Sequence, residues 1–182
     1  MKSILLLSVA VLFLFSCVPT QPTKEQLGQM TVEEINDLAV KLWKNDKYSD
    51  PALAIEYADA AIAKDPEYGR AYYTKGFAYY NLKEYESSIE NFSKAINIDP
   101  HIHESYNGRG WVYLETKQYQ KAIDDFTKAI ELDSKYMKAY NNRGYTYLQM
   151  NENEKACSDF TMVCDLGDCG NIKHAKKIGK CK

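Results

Sequence analysis

The sequence contains few of the residues from which catalytic and metal sites are built. It has three histidines in 182 residues, and two of them, His101 and His103, fall in one turn between helical segments. No Ser-His-Asp arrangement and no cluster of metal-ligand residues is visible in the pattern. The sequence therefore argues against an enzyme, a bound cofactor or metal, and a small-molecule substrate.

An excess of basic charge is also missing. The formal net charge is -2, from 23 basic and 25 acidic side chains, and the two signs are mixed along the helical segments. Proteins that bind phosphate backbones carry a basic patch or stripe. We therefore do not expect nucleic acid to be a partner.

No apolar run is long enough to cross a membrane. The run Ile4–Phe15 has twelve mostly apolar residues, whereas a spanning helix needs about 20. Lys2 precedes this run, and Ser16, Cys17 and Pro19 follow it. This order is typical of a secretory signal, which we place at residues 1–16.

The end of the signal, Leu14-Phe15-Ser16-Cys17, resembles a bacterial lipobox. The resemblance implies cleavage before Cys17 and lipidation of that residue with acyl chains such as palmitate, which would anchor the chain to a membrane. The alternative is an ordinary signal cut nearby, which leaves Cys17 free. Val18 is not the aspartate that retains lipoproteins in the inner membrane of some bacteria, so the resemblance favours the outer membrane, facing the periplasm.

The segment after the signal, residues 17–30, is predicted to be the lipidated cysteine and a flexible tether. It contains Pro19 and Pro22 and shows no helical period.

A pattern of aromatic and small residues then recurs every 34 residues. The shared positions are Tyr72, Tyr106 and Tyr140; Gly76, Gly110 and Gly144; Tyr79, Tyr113 and Tyr147; and Phe92, Phe126 and Phe160. Their spacing within each unit predicts two amphipathic helices joined by a short turn. The expected fold is an all-α solenoid of stacked helix pairs.

The repeat divides the chain into units at 69–102, 103–136 and 137–170, preceded by a degenerate unit at 31–68. In the degenerate unit, Thr31 and Glu34 form a capping box that opens a helix to about Asn45. Asp50-Pro51 begins the next helix, which is expected to run to about Lys64. Residues 171–182 are predicted to form a helix that covers the end of the array, with Ile172, Ala175 and Ile178 on its apolar face.

The units resemble tetratricopeptide repeats. The unit at 103–136 supplies the family's aromatic, glycine and alanine positions as Tyr106, Gly110, Tyr113, Ala122, Phe126 and Ala129, and departs from the pattern at Ser134. The resemblance implies that the first helix of each unit lines a concave groove that binds a polypeptide segment.

Carried over from the family, the groove residues are Arg70, Tyr73, Phe77, Tyr80, Asn107, Trp111, Asn141 and Tyr145. The rings offer flat apolar area, and the two asparagines can bond a peptide backbone. The alternative for any one ring is that it packs on a neighbouring helix and is only partly exposed.

Tyr73 stands where the chaperone-binding members have a lysine, so recognition of a C-terminal carboxylate is not expected. Arg109 and Arg143 are expected to support packing between units.

Four cysteines lie near the C-terminus: Cys157, Cys164, Cys169 and Cys181. In an exported protein they are expected to form disulfides. Cys157 and Cys164 are seven residues apart on one helix, about 10.5 Å along its axis, which is too far for a disulfide. An antiparallel return of the covering helix favours Cys164–Cys169 with Cys157–Cys181 over the remaining pairing. A zinc site is disfavoured because there is no C-x-x-C pair.

These features predict a membrane-anchored adaptor in the bacterial cell envelope that binds a protein or peptide segment in its groove. The alternative function is a structural subunit of an envelope complex, which would use the convex face or the ends of the array and leave the groove empty.

Overall fold

The computed structural model describes residues 21–182, which form antiparallel α-helices and one short β-hairpin. The helices are α1 Lys24–Gln29, α2 Val32–Val40, α3 Pro51–Lys64, α4 Gly69–Asn81, α5 Tyr85–Ile98, α6 His103–Glu115, α7 Tyr119–Leu132, α8 Met137–Gln149, α9 Asn153–Asp165 and α10 Gly170–Lys177. The antiparallel strands are β1 Trp43–Lys44 and β2 Lys47–Tyr48, with Trp43 opposite Tyr48.

Consecutive helices pack as pairs, and each pair packs on the next. The pairs are α2 with α3, α4 with α5, α6 with α7, and α8 with α9. The first helices of successive pairs also contact one another, from α2 through α4 and α6 to α8, so they form one layer along the array. This arrangement confirms the predicted all-α solenoid.

Glycines at the helix crossings make room for the buried phenylalanine rings of the second helices. Phe92 of α5 is fully buried between α4 and α6. A Cβ atom added at Gly76 of α4 would lie 2.9 Å from the Phe92 ring, and one added at Gly108 of α6 would lie 2.6 Å from it. The recurring small residues therefore let adjacent repeats approach closely around each ring.

We expect Gly108→Ala to lower the free energy of unfolding by about 1–3 kcal/mol, because the added Cβ atom would lie 2.6 Å from the fully buried Phe92 ring and the ring or the helix must shift. Urea denaturation of the purified protein measures the change. Gly28→Ala is the matched control, since no atom lies within 4 Å of a Cβ added at this glycine of α1. It should leave stability unchanged or raise it by up to about 1 kcal/mol. Equal effects at the two positions would contradict this packing.

Two arginines link neighbouring repeats, as expected from the sequence. Arg109 binds Asp125 of its own repeat through both Nε and Nη2, each at 2.8 Å, and its Nη1 donates to Ser93 of the preceding repeat at 2.9 Å. One repeat later, Arg143 makes the same contacts with Asp159 and Thr127. In the repeat at 69–102, a lysine, Lys75, stands at the arginine position. Lys75 binds Asp59 of the unit at 31–68.

The N-terminal part of the structure differs from the sequence prediction in two ways. Residues 24–29, assigned to the flexible tether, form helix α1, because Thr23 and Gln26 make a reciprocal capping box and Leu27 is buried. The helix that opens at Thr31 ends at Val40 rather than near Asn45. Asn45 and Asp46 adopt positive φ angles of 51° and 62°, which turn the chain into the β1–β2 hairpin.

At the C-terminal end, α10 covers the array with Ile172 and Ala175 buried. The disulfides are Cys157–Cys181 and Cys164–Cys169, with Cα–Cα distances of 5.7 and 4.0 Å, which is the pairing expected for an antiparallel return. Ile178 was predicted to join the apolar face but is 51% exposed, because α10 ends at Lys177 and Gly179 turns the chain with φ +71°.

None of the described helices has the length and apolar character needed to span a bilayer. The predicted signal, the lipobox and Cys17 lie outside the described residues.

Candidate functional site

A cavity of about 560 Å³ opens between the first helices of the repeats and the β1–β2 hairpin. Its walls come from the end of α2, the hairpin, and helices α4, α6 and α8. The lining residues are Val40, Trp43, Asp46, Tyr48, Tyr73, Thr74, Phe77, Tyr80, Asn107, Trp111, Tyr136, Lys138, Asn141 and Asn142. The site is thus built by the three repeats at 69–170 and by the degenerate unit at 31–68, which supplies the end of α2 and the hairpin.

Six of the eight groove residues predicted from the sequence line this cavity: Tyr73, Phe77, Tyr80, Asn107, Trp111 and Asn141. The other two, Arg70 and Tyr145, lie outside it. Arg70 is exposed in the first turn of α4, and Tyr145 is 51% exposed on α8. Tyr145 occupies the same position in its repeat as Phe77 and Trp111 do in theirs. The cavity therefore reaches the first turns of α8 and ends before Tyr145.

The rings of the cavity pack on one another; Tyr48 is buried and the others are partly buried. Phe77 meets Trp43, Tyr73 and Phe92 edge to face, at centroid distances of 5.3, 5.1 and 5.0 Å. Such contacts hold each ring in one orientation. The rings therefore both support the helix packing and present fixed apolar area to the cavity.

Trp111 is held by a hydrogen bond as well as by packing. Its indole Nε1 donates to the Tyr80 hydroxyl at 2.6 Å, which ties α6 to α4 across the cavity wall. The polar edge of the indole is thus satisfied within the protein. The apolar part of the ring remains partly exposed and faces the site.

The asparagines use part of their hydrogen-bonding capacity inside the protein. The Asn107 Oδ1 atom accepts a bond from Asn142 Nδ2 at 3.0 Å, and the Asn141 Oδ1 atom accepts one from Asn171 Nδ2 at 2.7 Å. These two bonds use the oxygen atoms of Asn107 and Asn141 and not their NH₂ groups. Each NH₂ group can therefore donate to a peptide carbonyl.

The hairpin supplies site residues that the sequence analysis missed. Trp43 packs on Phe77, and the Tyr48 backbone N–H donates to Asn81 Oδ1 at 2.7 Å, which fixes the hairpin on α4. The signal that could have revealed it is Asn45-Asp46, a pair that favours positive φ, between two short segments with aromatic residues. The hairpin closes the N-terminal end of the groove.

Charged groups are few around the cavity. Asp46 and Lys138 are the charged side chains among its lining residues within the described part of the chain. Burial raises the pKa of Tyr48 and of Tyr136 to about 12, and it also raises the pKa of Tyr73. These phenols therefore stay protonated at physiological pH and act as neutral hydrogen-bonding groups.

We expect the protein to lose stability as the pH rises from about 10 to about 12. The phenols of Tyr48 and Tyr136 ionise near pH 10 in the unfolded chain and near 12 in the folded one, so the unfolded state releases protons first. Each ring contributes about 2–3 kcal/mol that is present below pH 10 and is lost across this interval. Thermal unfolding at a series of alkaline pH values measures it. Tyr48→Phe should flatten the dependence, and an unchanged slope would contradict the assignment.

Comparison with known families identifies the repeats. Residues 69–102 and 103–136 each match the tetratricopeptide repeat model, and residues 126–158 match a second tetratricopeptide repeat model. The first two segments coincide with two of the units expected from the sequence. The chain therefore contains tetratricopeptide repeats, and its fold is that of a tetratricopeptide repeat solenoid.

Solved structures with this fold include the protein MamA. The MamA crystal structure is 24% identical, covers 80% of this chain and 81% of its own, and superposes with a TM-score of 0.66. The first TPR domain of Spaghetti (RPAP3), solved with the HSP90 peptide SRMEEVD, is 24% identical, covers 64% of this chain and 94% of its own, with a TM-score of 0.59. The TPR domain of Arabidopsis OM64 is 28% identical over 61% of this chain and 93% of its own, with a TM-score of 0.58.

No curated protein matches the sequence significantly. Across residues 21–182, no group of three or more histidine, cysteine, aspartate and glutamate side chains is placed to hold a metal ion.

Proposed function

We propose that this protein is a membrane-anchored adaptor that binds a segment of another polypeptide in the cavity between α4, α6, α8 and the hairpin. The observation that carries the proposal is the cavity itself, with about 560 Å³ of space walled by fixed aromatic rings and side-chain amides. Such a surface suits a peptide, because the rings bury apolar side chains while the amides bond the peptide backbone.

The lining favours an uncharged segment that carries one or two large apolar side chains. Trp43, Phe77 and Trp111 provide apolar area, and the charged lining residues, Asp46 and Lys138, are balanced in sign. The peptide bound by the RPAP3 domain is acidic and ends in aspartate. The buried phenol of Tyr73 offers no positive charge to such a ligand. The proposed ligand is thus an apolar internal segment rather than an acidic C-terminus.

Tryptophan fluorescence tests this proposal directly, because both tryptophans of the chain, Trp43 and Trp111, line the cavity. Short uncharged peptides that carry phenylalanine or leucine should shift the emission in a saturable way. The peptide SRMEEVD should leave it unchanged. If the acidic peptide binds and the apolar ones do not, the proposed ligand class is wrong. If no peptide of either kind binds, the alternative role as a structural subunit gains support.

The proposed location is the bacterial cell envelope. A lipid on Cys17 would hold the chain at the outer membrane, where it faces the periplasm. The disulfides Cys157–Cys181 and Cys164–Cys169 support export, since such bonds persist in oxidising compartments. Mass spectrometry of the protein purified from membranes should find residue 17 at the N-terminus with acyl chains attached. An intact N-terminus, or a soluble protein cut elsewhere, would contradict the anchor.

A further inference from the structure

The last thirteen residues differ sharply in charge from the rest of the chain. Residues 170–182 contain five of the 23 basic side chains and none of the 25 acidic ones, which leaves 18 basic against 25 acidic side chains over residues 1–169. The even mixture of charges described above therefore does not extend to the C-terminal end. A strongly basic end on an acidic body indicates an anionic partner for that end.

The lysines of the helix that covers the array are exposed to solvent. Because Ile172 and Ala175 of α10 pack inward, the side chains of Lys173 and Lys177 project from the opposite side, and Lys176 lies at the edge of the buried stripe but is also exposed. Across residues 21–182, the ion pairs of the fold involve other basic groups and none of these three. None of the ion pairs within residues 21–182 therefore holds the charge of these three lysines.

An exposed apolar side chain lies at the C-terminal end of this helix. Ile178 directly follows Lys177, is 51% exposed, and is held outward by the turn at Gly179. The disulfide Cys157–Cys181 fixes the chain that follows this turn against α9. Lysines that flank an exposed apolar residue are typical of surfaces that rest on a lipid bilayer, where the apolar group enters the interface and the lysines meet the headgroups.

We propose that the exposed surface of α10 and its C-terminal end, which carries Lys173, Lys176, Lys177 and Ile178, binds the surface of an anionic lipid membrane. This contact is independent of ligand binding in the cavity. With a lipid on Cys17, which precedes the array in the chain, and this surface at the C-terminal end of the array, the protein would have two contacts with the membrane. The contact would therefore orient the groove relative to the bilayer.

Vesicle sedimentation tests the contact without the anchor. The protein used begins at residue 17 with Cys17→Ser, which keeps every helix and strand of the described fold. It should bind vesicles of phosphatidylglycerol and phosphatidylcholine at low salt, bind phosphatidylcholine vesicles much less, and dissociate at high salt. Replacing Lys173, Lys176 and Lys177 by glutamine should weaken binding about a hundredfold, on the order of fivefold for each lysine. Ile178→Ser should weaken it further.

A control variant removes the same charge elsewhere. Glutamine at Lys94, Lys121 and Lys128, exposed lysines of α5 and α7, should bind vesicles nearly as well as the unchanged protein. Equal losses in the two triple variants would overturn the proposal in favour of a general effect of net charge. Binding to nucleic acid or to an acidic protein without binding to anionic vesicles would also overturn it. Circular dichroism should show the same melting temperature for both triple variants.

Discussion

Replacing Asp159 with alanine is expected to lower the free energy of unfolding by about 3–5 kcal/mol. Asp159 is buried, with its side chain 5% exposed, and both of its carboxylate oxygens accept bonds from Arg143, at 2.9 and 2.7 Å. The guanidinium of Arg143 is itself mostly buried, with 17% of its side chain exposed. Loss of the carboxylate leaves this cation without its partner between two repeats, and equilibrium urea unfolding measures the cost.

Two comparisons show whether burial is the cause. Asp59→Ala removes an aspartate whose ion pair with Lys75 joins two repeats, but Asp59 is 52% exposed, so the loss should stay below about 1 kcal/mol. The double variant Arg143→Met, Asp159→Leu should recover most of the stability lost by Asp159→Ala, because neither charge then remains buried. Similar losses for Asp59→Ala and Asp159→Ala would contradict the account.

The second large effect is expected at Trp111. Trp111→Ala should weaken binding of the best peptide from the fluorescence titration by about thirtyfold or more, as expected for a central aromatic anchor. The ring forms part of the cavity wall and is held in place by its bond to the Tyr80 hydroxyl at 2.6 Å. Anisotropy of a labelled peptide measures the affinity without relying on the removed tryptophan.

Tyr145→Ala is the matched control for Trp111→Ala. Tyr145 stands at the equivalent position one repeat later, but it lies outside the cavity and is 51% exposed, so its loss should change affinity only slightly. Trp111→Phe, which keeps an aromatic ring, should retain most of the affinity. An equal loss of peptide affinity in Trp111→Ala and Tyr145→Ala would contradict the cavity as the binding site. So would a lowered melting temperature of Trp111→Ala that accounts for its loss of affinity.

The repeats and the inner layer could be predicted from the sequence because they depend on local spacing. The recurrence of Gly110 and Phe126 at fixed intervals requires one packing solution, in which the ring fills the space beside the glycine of its own repeat. The resemblance to tetratricopeptide repeats implies which helix of each pair faces inward. The position of Trp111 on the inner layer was carried over from that resemblance.

The hairpin and the limits of the cavity could not be predicted in the same way, because they arise where the repetition fails. The first unit replaces the end of its first helix by a turn at Asn45 and Asp46, and this loop packs on a helix more than twenty residues later, through the contact of Trp43 with Phe77. Tyr145 was expected in the groove from the family resemblance, but the cavity found within residues 21–182 is lined by the first turns of α8 and does not reach it.

Site-specific photo-crosslinking in intact cells tests the central claim most directly. A photoreactive amino acid is placed at Tyr136, which lines the cavity, or at Lys128, which is exposed on α7 in the outer layer. Mass spectrometry then identifies what each position captures. The account predicts that position 136 captures one polypeptide, through a single short segment, and that position 128 does not. Capture of the same partner from position 128 alone, with none from position 136, would contradict it.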